Sequence, residues 1–220
     1  GVNTPVITAR NEDGLAFLMI HHIWWPRVRS VTSFTYDGST NVETTTKRLG
    51  TKVEYIYDTA TGTQSTGNLI QTIHYRLNPN NSSWDYFTAT ANEYFPNFAA
   101  NITGLPARTY TYRCDGTANC PLPTNYMYLL SDTRYLYDSN ATYNAAPTAG
   151  KPRGTKSAYR YDETANQWMF VDAGVSVDSW GNVVVKWVNQ AETLANQFSE
   201  ADKRITEQTC YVGGTAGCAY

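Results

Sequence analysis

The stretch QTIHYRL at residues 71–77 carries the side chains best suited to acid–base chemistry. Alternation along a β-strand would place Thr72, His74 and Arg76 on one face. A histidine can act as an acid or a base, and a neighbouring arginine can neutralise a carboxylate. This pair is therefore what an enzyme that acts on acidic polysaccharides would need.

The same strand resembles the Gln-x-His strand of jelly-roll alginate lyases, which would imply a polysaccharide lyase. An extra residue between Gln71 and His74 puts these two side chains on opposite faces, and the companion motifs of that family are not visible. His21 and His22 are adjacent, so from a strand they cannot both bind one metal ion. We expect no metal and no cofactor, and the sequence favours a protein that is not an enzyme.

Aromatic side chains are the larger resource, with 17 Tyr and 6 Trp in the chain. Tyrosine presents an apolar ring together with a hydroxyl group, which suits sugar stacking and protein–protein contacts. Tryptophans beside predicted turns or segment ends are candidates for such contacts, whereas Trp168 and Trp187 lie in mid-strand and are expected in the core. The candidate binding residues are Trp24, Trp25, Trp84, Trp180, His74 and Arg76.

Four cysteines form two local pairs, in CDGTANC (114–120) and CYVGGTAGC (210–218). Glycine near the second cysteine of each pair supplies the backbone freedom that a tight loop requires. We predict the disulfides Cys114–Cys120 and Cys210–Cys218. The alternative is a zinc site, but the spacers are longer than in the usual CxxC knuckles. Disulfides indicate an oxidising compartment.

Four Asn-x-Ser/Thr sequons lie in stretches that have the composition of loops or turns. They are consistent with export, although a chain this rich in Asn, Ser and Thr also produces sequons by chance. The glycosylation candidates are Asn80, Asn81, Asn101 and Asn140.

A short pattern, an aromatic residue followed by x-Tyr-Asp, occurs four times, in FTYDGSTN (34–41), YIYDTATG (55–62), YLYDSNAT (135–142) and YRYDETAN (159–166). The alternating aromatics indicate a strand, and the Asp can accept hydrogen bonds from the turn that follows. We interpret each copy as the end of a strand in a hairpin. The pattern resembles the start of the Tyr-Asp repeats of large secreted β-cage proteins, but the copies depart from the usual continuation, and we infer no family from them.

The remaining patterns predict a mainly β fold in a single domain, residues 1–220, with residues 1–30 as a possible extended N-terminal segment. Many short strands separated by turn residues favour an antiparallel β-sandwich or a curved sheet or barrel. Apolar residues at helical spacing predict one C-terminal amphipathic helix at about 189–205. Strands are predicted at 31–36, 52–57, 69–77, 84–89, 109–114, 126–130, 134–137, 157–161, 167–172, 175–178 and 182–188.

The net charge of −2 provides no basic field for nucleic acid, and no stretch is apolar enough to span a membrane. The apolar run 15–20 is expected to be buried or donated to a neighbouring copy. We predict a secreted, extracellular structural or adhesive subunit that self-associates as a filament, surface or matrix component. Its partners would be copies of itself, other extracellular proteins or glycans. The alternative is a carbohydrate-binding module or a polysaccharide-processing enzyme.

Overall fold

The structure is a computed structural model that describes residues 6–10, 16–19, 27–36, 48–58, 66–78, 80, 82–114, 120, 128–178, 180–195 and 197–210. Within these ranges all regular elements are β-strands, and no helix is present that is long and apolar enough to cross a bilayer. The strands are β1 (Val6–Arg10), β2 (Ala16–Met19), β3 (Ser30–Tyr36), β4 (Arg48–Tyr57), β5 (Leu69–Leu77), β6 (Trp84–Tyr94), β7 (Pro106–Arg113), β8 (Leu129–Tyr137), β9 (Pro152–Asp162), β10 (Gln167–Val177), β11 (Val183–Asn189) and β12 (Lys203–Gln208).

Strands β3 to β12 form one 10-stranded antiparallel sheet in which each strand pairs with its neighbours along the chain. The prediction of a mainly β, antiparallel fold is confirmed. Within the described residues β3 and β12 stand at opposite ends of the strand order and do not pair with each other, so neither a sandwich nor a barrel is confirmed. Strand β2, which contains most of the apolar run 15–20, pairs with β1 of the same chain in a separate sheet.

The buried side chains of the large sheet lie predominantly on one face, which we call the inner face. Cross-strand partners share a face, and the partners Ile73, Ala89 and Tyr112 are all buried. The alternate positions, such as His74 and Arg113, lie on the outer face and are exposed. In β5 to β7, buried positions alternate with more exposed ones along each strand. This alternation in the sequence therefore specifies which face of the sheet is buried.

Aromatic residues dominate the inner face on β5 to β7. The rings of Tyr75 and Tyr86 lie 4.7 Å apart, and those of Tyr110 and Tyr112 lie 6.0 Å apart. The hydroxyl of Tyr112 is buried and donates to the carbonyl of Cys120 at 3.3 Å. Because Cys120 is disulfide-bonded to Cys114 at the end of β7, this bond fixes a loop residue over the aromatic core.

The Tyr-Asp pattern ends strands as predicted, and its clearest example is Asp138 after β8. Its carboxylate accepts hydrogen bonds from the four backbone N–H groups of 148–151, at 2.7 to 3.2 Å. Burial would raise the pKa of Asp138, but these four donors outweigh it and hold the pKa at about 2. The long β8–β9 connection is thus held by one side chain.

Two further copies act in the same way. Asp162 accepts hydrogen bonds from the backbone N–H groups of Thr164 and Ala165, at 3.0 and 3.1 Å. Asp58 accepts one from the N–H of Thr66 at 3.0 Å. The fourth copy ends at Asp37, which lies outside the described residues. The pattern therefore marks strand ends in this meander.

The prediction of a helix at 189–205 is wrong. Residues 190–195 and 197–202, which we call the covering segment, follow an irregular path, and β12 begins at Lys203. Leu194 is 43% exposed and Ile205 is 54% exposed, so the apolar positions with helical spacing do not share one buried face. The side chain of Asn189 accepts a hydrogen bond from the N–H of Ala191 in a turn, in place of a helix cap.

The backbone of the covering segment is satisfied by the sheet. Phe170 and Thr193 exchange two backbone hydrogen bonds, at 2.9 and 3.1 Å, and the N–H of Ser199 donates to Asp172 at 2.9 Å. The ring of Phe198 packs against Trp187 with centroids 5.6 Å apart. These tertiary contacts to β10 and β11 outweigh the weak local preference for a helix.

Candidate functional site

Strand β3 is one of the two edges of the large sheet. Within the described residues its only paired strand is β4. All side chains from Ser30 to Thr35 are exposed, and the sequence SVTSFTY contains neither a charge nor a proline. An edge strand presents a row of backbone N–H and C=O groups that another chain can pair with. The composition of β3 does nothing to prevent such pairing.

Apolar side chains surround this edge. Val31 on β3 is 47% exposed, and Leu49, which pairs with Thr35 from β4, is 73% exposed. Val28, just before β3, is 55% exposed. These side chains are spread along the edge, and the exposed Arg27 and Arg29 lie on either side of Val28. Exposed apolar side chains beside an uncharged strand are a feature of protein-binding surfaces.

The opposite edge, β12, has a different composition. Its sequence KRITEQ is also exposed at every position, but Lys203, Arg204 and Glu207 give it charge of both signs. Glu207 forms an exposed ion pair with Lys186 of β11 at 2.9 Å. Charged side chains of this kind protect an edge from pairing with another chain.

The predicted acid–base pair lies on the open outer face. His74 and Arg76 are both exposed on β5, together with Thr72 on the same face. The cross-strand partners of His74 are Val53 and Thr88, which supply no second acid–base group. The guanidinium of Arg76 stacks on the ring of Phe87, 3.8 Å from its centroid. The structure therefore brings His74 and Arg76 together but does not enclose them.

The predicted tryptophan contacts fall into different environments. Trp84 is half-buried on the inner face, where its ring lies 6.0 Å from that of Phe34. Trp180 is 86% exposed at the tip of the β10–β11 hairpin, where its backbone N–H donates to the Asp178 carboxylate at 2.9 Å. Trp24 and Trp25 lie outside the described residues. Trp187, expected in the core, is 1% exposed.

The cysteine prediction is confirmed for the pair Cys114–Cys120, whose Cα atoms are 5.2 Å apart. The pair Cys210–Cys218 stays a prediction, because Cys218 lies outside the described residues. A disulfide is typical of proteins in oxidising compartments. Within the described residues no cluster of His, Cys, Asp and Glu could hold a metal ion.

Three of the four sequons lie in described turns or loops. Asn80 and Asn101 are exposed, and Asn101 adopts a positive φ of 56°. Asn140 is half-buried, and its amide lies 3.5 Å from the carbonyls of Ala145 and Ala146. Asn81 lies outside the described residues. Whether any of the four carries a glycan stays a prediction.

A groove of about 500 Å³ crosses the sheet from β8 to β12. Tyr135 and Tyr137 line one side, and Val188 and Thr206 line the other, with Thr155 between them. Four of the lining residues form one cross-strand row, in the order Tyr135, Thr155, Ala173 and Val188. Tyrosine rings beside threonine hydroxyls suit a neutral sugar.

Sequence reasoning missed a line of charges on the inner face, which we call the ionic row. Five of its members are cross-strand partners, one on each strand from β6 to β10. The sixth member, Asp132, lies on β8 and belongs to the next cross-strand row. Three acids and three bases balance in charge. The members are Glu93, Arg108, Asp132, Arg134, Lys156 and Asp172.

Asp132 is the centre of one half of the ionic row. It is 1% exposed and accepts two hydrogen bonds from Arg108, at 2.8 and 2.9 Å, and one from Arg134 at 3.1 Å. Burial alone would lower the pKa of Arg108, but the hydrogen bonds and charge of Asp132 outweigh it and raise the pKa. The Arg134 guanidinium also donates to the carbonyl of Ala195 in the covering segment.

The other half of the ionic row is the pair Lys156 and Asp172. Lys156 is 3% exposed and Asp172 is 0% exposed, and the Lys156 Nζ atom lies 2.6 Å from Asp172 Oδ1. One signal pointed to the row in the sequence. Arg108 lies two and four residues before the core residues Tyr110 and Tyr112, so strand alternation places all three on the same face. A charged side chain was therefore expected on the buried face of β7.

Comparisons with known proteins give no relative. No family model, curated protein or solved structure matches this chain.

Proposed function

We propose that this chain is a secreted, extracellular structural or adhesive subunit that associates with a second copy by pairing β3 with β3. The observation that carries the proposal is the exposed, uncharged edge Ser30–Tyr36. Main-chain hydrogen bonds across such an edge supply affinity without requiring a specific side-chain code. Each copy would then extend the sheet of the other.

A second copy is the occupant that suits this edge best. In a two-fold arrangement the same strand meets itself antiparallel, so a charge at the centre of the strand would face its own copy. Strand β3 has none. A pairing centred on Ser33 places Val31 opposite Thr35 of the other copy, which sets β-branched residues against each other.

The outer face supports the wider assembly that the sequence predicts. A row of hydroxyl side chains crosses four strands through Thr72, Thr90, Thr111 and Ser131. The hydroxyl oxygens of Thr90 and Thr111 lie 2.9 Å apart. The row itself carries no charge to desolvate, so it suits stacking of subunits in a filament, surface or matrix. The exposed side chains of Arg76 and Arg113 lie on the same face and would stay at the border of such a contact.

Two features support an extracellular location. The Cys114–Cys120 disulfide suits an oxidising compartment. The sequons at Asn80 and Asn101 are exposed in turns, where a glycan can be attached.

The test uses charge at the centre of the proposed interface. In Ser33→Lys and in Ser33→Glu, like charges face each other across the two-fold axis, and each variant alone should be monomeric. A mixture of the two should form a heterodimer, because opposite charges now meet. Sedimentation velocity measures the species directly.

The matched control places the same charges on the other edge, as Thr206→Lys and Thr206→Glu on β12. These variants should keep the size of the wild-type species. A wild-type protein that stays monomeric at high concentration, or a mixture of Ser33 variants that does not associate, contradicts the proposal.

A second candidate function, carbohydrate binding, is favoured by the groove between β8 and β12. Its occupant would be a neutral oligosaccharide stacked on Tyr135 beside the hydroxyls of Thr155 and Thr206. Calorimetric titration with neutral glycans should show binding that Tyr135→Ala removes, with Tyr159→Ala, an exposed tyrosine outside the groove, as the control. No heat with any glycan contradicts this candidate.

A further inference from the structure

The contact between Lys156 and Asp172 has a geometry that the other ion pairs of the ionic row lack. The two residues are direct cross-strand partners on β9 and β10, as Glu93 and Arg108 are on β6 and β7. Lys156 Nζ lies 2.6 Å from Oδ1, but the contact is not aligned as a hydrogen bond, because Oδ1 has no partner that meets the angular requirement. The amine nitrogen is thus held against the carboxyl group without a normal ion-pair geometry.

This pair is closed off from solvent, and its surroundings combine aromatic rings with the charge of Arg134, the cross-strand partner of Lys156. Phe170 and Trp187 are each 1% exposed, and Lys156 Nζ lies 5.8 Å from the centroid of the Phe170 ring. Burial lowers the pKa of Lys156, the adjacent carboxylate of Asp172 opposes this shift, and the positive charge of Arg134 adds to it. In such an environment an ion pair is costly, and proton transfer from the ammonium to the carboxylate produces two neutral groups.

The second carboxylate oxygen, Oδ2, is held from the other side. It accepts hydrogen bonds from the backbone N–H of Ser199 at 2.9 Å and from the hydroxyl of Thr193 at 3.1 Å. Lys156 Nζ also donates to the same Thr193 hydroxyl. Two donors on one oxygen form a site that stabilises negative charge developing on Oδ2 when a nucleophile attacks Cγ.

We propose that Lys156 and Asp172 form an intramolecular amide bond between Nζ and Cγ, which links β9 covalently to β10. The ammonium first gives one proton to Oδ1. The neutral amine then attacks Cγ, and the negative charge that develops on Oδ2 is stabilised by Ser199 and Thr193. A second proton passes from Nζ to Oδ1, the Cγ–Oδ1 bond breaks, and one water molecule leaves.

This step is balanced without any other reactant. The ammonium and the carboxylate together lose one water molecule, both charges disappear, and one N–H remains on the amide. The Thr193 hydroxyl contacts both reacting side chains, so it positions the amine and stabilises the oxyanion. The covering segment brings Thr193 and Ser199 to the site, which explains why an irregular segment is fixed there by β10.

The inference does not depend on self-association through β3, since a monomeric protein would form the same bond. It adds a covalent link between neighbouring strands to the disulfide that closes the β7 loop. Both links would resist forced unfolding, because the linked segments cannot separate.

The test is the mass of the reduced, denatured wild-type chain. The proposal predicts a mass lower than that of the sequence by one water molecule, and a proteolytic peptide pair in which fragmentation places the link between Lys156 and Asp172. The full sequence mass, or a free Lys156 amine that labels with an acylating reagent after denaturation, overturns it. This measurement requires no variant to fold.

One variant tests whether the amine of Lys156 is required. Lys156→Arg keeps the positive charge but not the nucleophilic amine, and it should have the full mass. A loss of water that persists in this variant arises elsewhere in the chain and also overturns the proposal.

The role of the hydroxyl is tested at Thr193. Thr193→Val should form the link at least about tenfold more slowly, because one donor to Oδ2 is lost. Thr193→Ser keeps the hydroxyl and should restore the rate. The readout is the linked fraction over time after refolding, and equal rates in all three proteins contradict the role of Thr193.

Discussion

The two edges of the sheet are equally exposed but differ in charge. Strand β3 consists of Ser, Val, Thr, Phe and Tyr without a single charge, whereas β12 contains two basic residues and one acidic residue. Both edges offer backbone groups to another chain. The difference shows that exposure alone does not make an edge a binding site, because the side chains decide whether a partner strand can approach.

The same comparison explains why we propose a pair as the basic unit. Among the described residues one edge of the sheet is uncharged and the other is charged, so pairing through the uncharged edge would join two copies but would not by itself extend a chain of subunits. Sheet extension at both ends would produce an open filament. We expect the charges of β12 to restrict pairing to one edge per subunit.

Removal of the charges from β12 should produce the largest effect. The combined substitutions Lys203→Thr, Arg204→Val and Glu207→Thr make this edge as neutral as β3. Each subunit then has two open edges, and we expect species much larger than a dimer. Light scattering after size-exclusion chromatography measures this change.

The control for this variant is a second set of substitutions that keeps the charge. Lys203→Arg and Arg204→Lys preserve both cations on β12 and should leave the size of the species unchanged. The neutral variant also loses the exposed ion pair between Lys186 and Glu207, but this loss should change the free energy of unfolding little. A neutral β12 that causes no increase in size contradicts the role of charge in protecting this edge.

A single apolar residue on each edge provides a smaller test. Val31→Thr should weaken association about fivefold, which corresponds to about 1 kcal/mol of lost cross-strand packing. Ile205→Thr on β12 removes a side chain of similar exposure and should change nothing. Equilibrium sedimentation provides both dissociation constants, and equal effects of the two substitutions would show that β3 is not the interface.

Salt should have the smallest effect on the wild-type protein. Between about 0.15 and about 1 M ionic strength, the association of an uncharged edge should change less than about twofold. The Ser33→Lys variant should instead recover association with salt, because the repulsion between the two lysines is screened. A strong salt dependence in the wild-type protein would indicate a charged interface elsewhere.

Much of the fold could be predicted from strand patterns. The segment 69–77 matches β5 in both bounds, and strands were predicted on both sides of the turn between β10 and β11, at 175–178 and 182–188. Bounds failed where strands continue through bulges. One example is β10, predicted as two strands, which runs unbroken from Gln167 to Val177.

The helix prediction failed for a physical reason that the sequence does not contain. Leu194, Phe198 and Ile205 have helical spacing, but Phe198 packs on Trp187 while the other two are exposed. The carboxylate of Asp172 binds the N–H of Ser199, and this contact joins residues far apart along the chain. Local periodicity cannot report such a tertiary contact.

The partners within the ionic row could not be predicted, for a similar reason. Strand alternation places Arg108 or Lys156 on a face, but only the register between strands shows which charge lies beside which. Lys156 and Asp172 become partners because β9 and β10 pair in this particular register. The open edge β3 was likewise invisible until the strand order was known.

Amide hydrogen exchange at low and high protein concentration tests the central claim most directly. The account predicts that amides of residues 30–36 exchange more slowly as concentration rises, because N–H groups at the β3 edge become hydrogen-bonded to the second copy. Amides of residues 203–208 should exchange at the same rate at both concentrations. Exchange in β3 that is independent of concentration, or equal slowing in β12, would contradict the account.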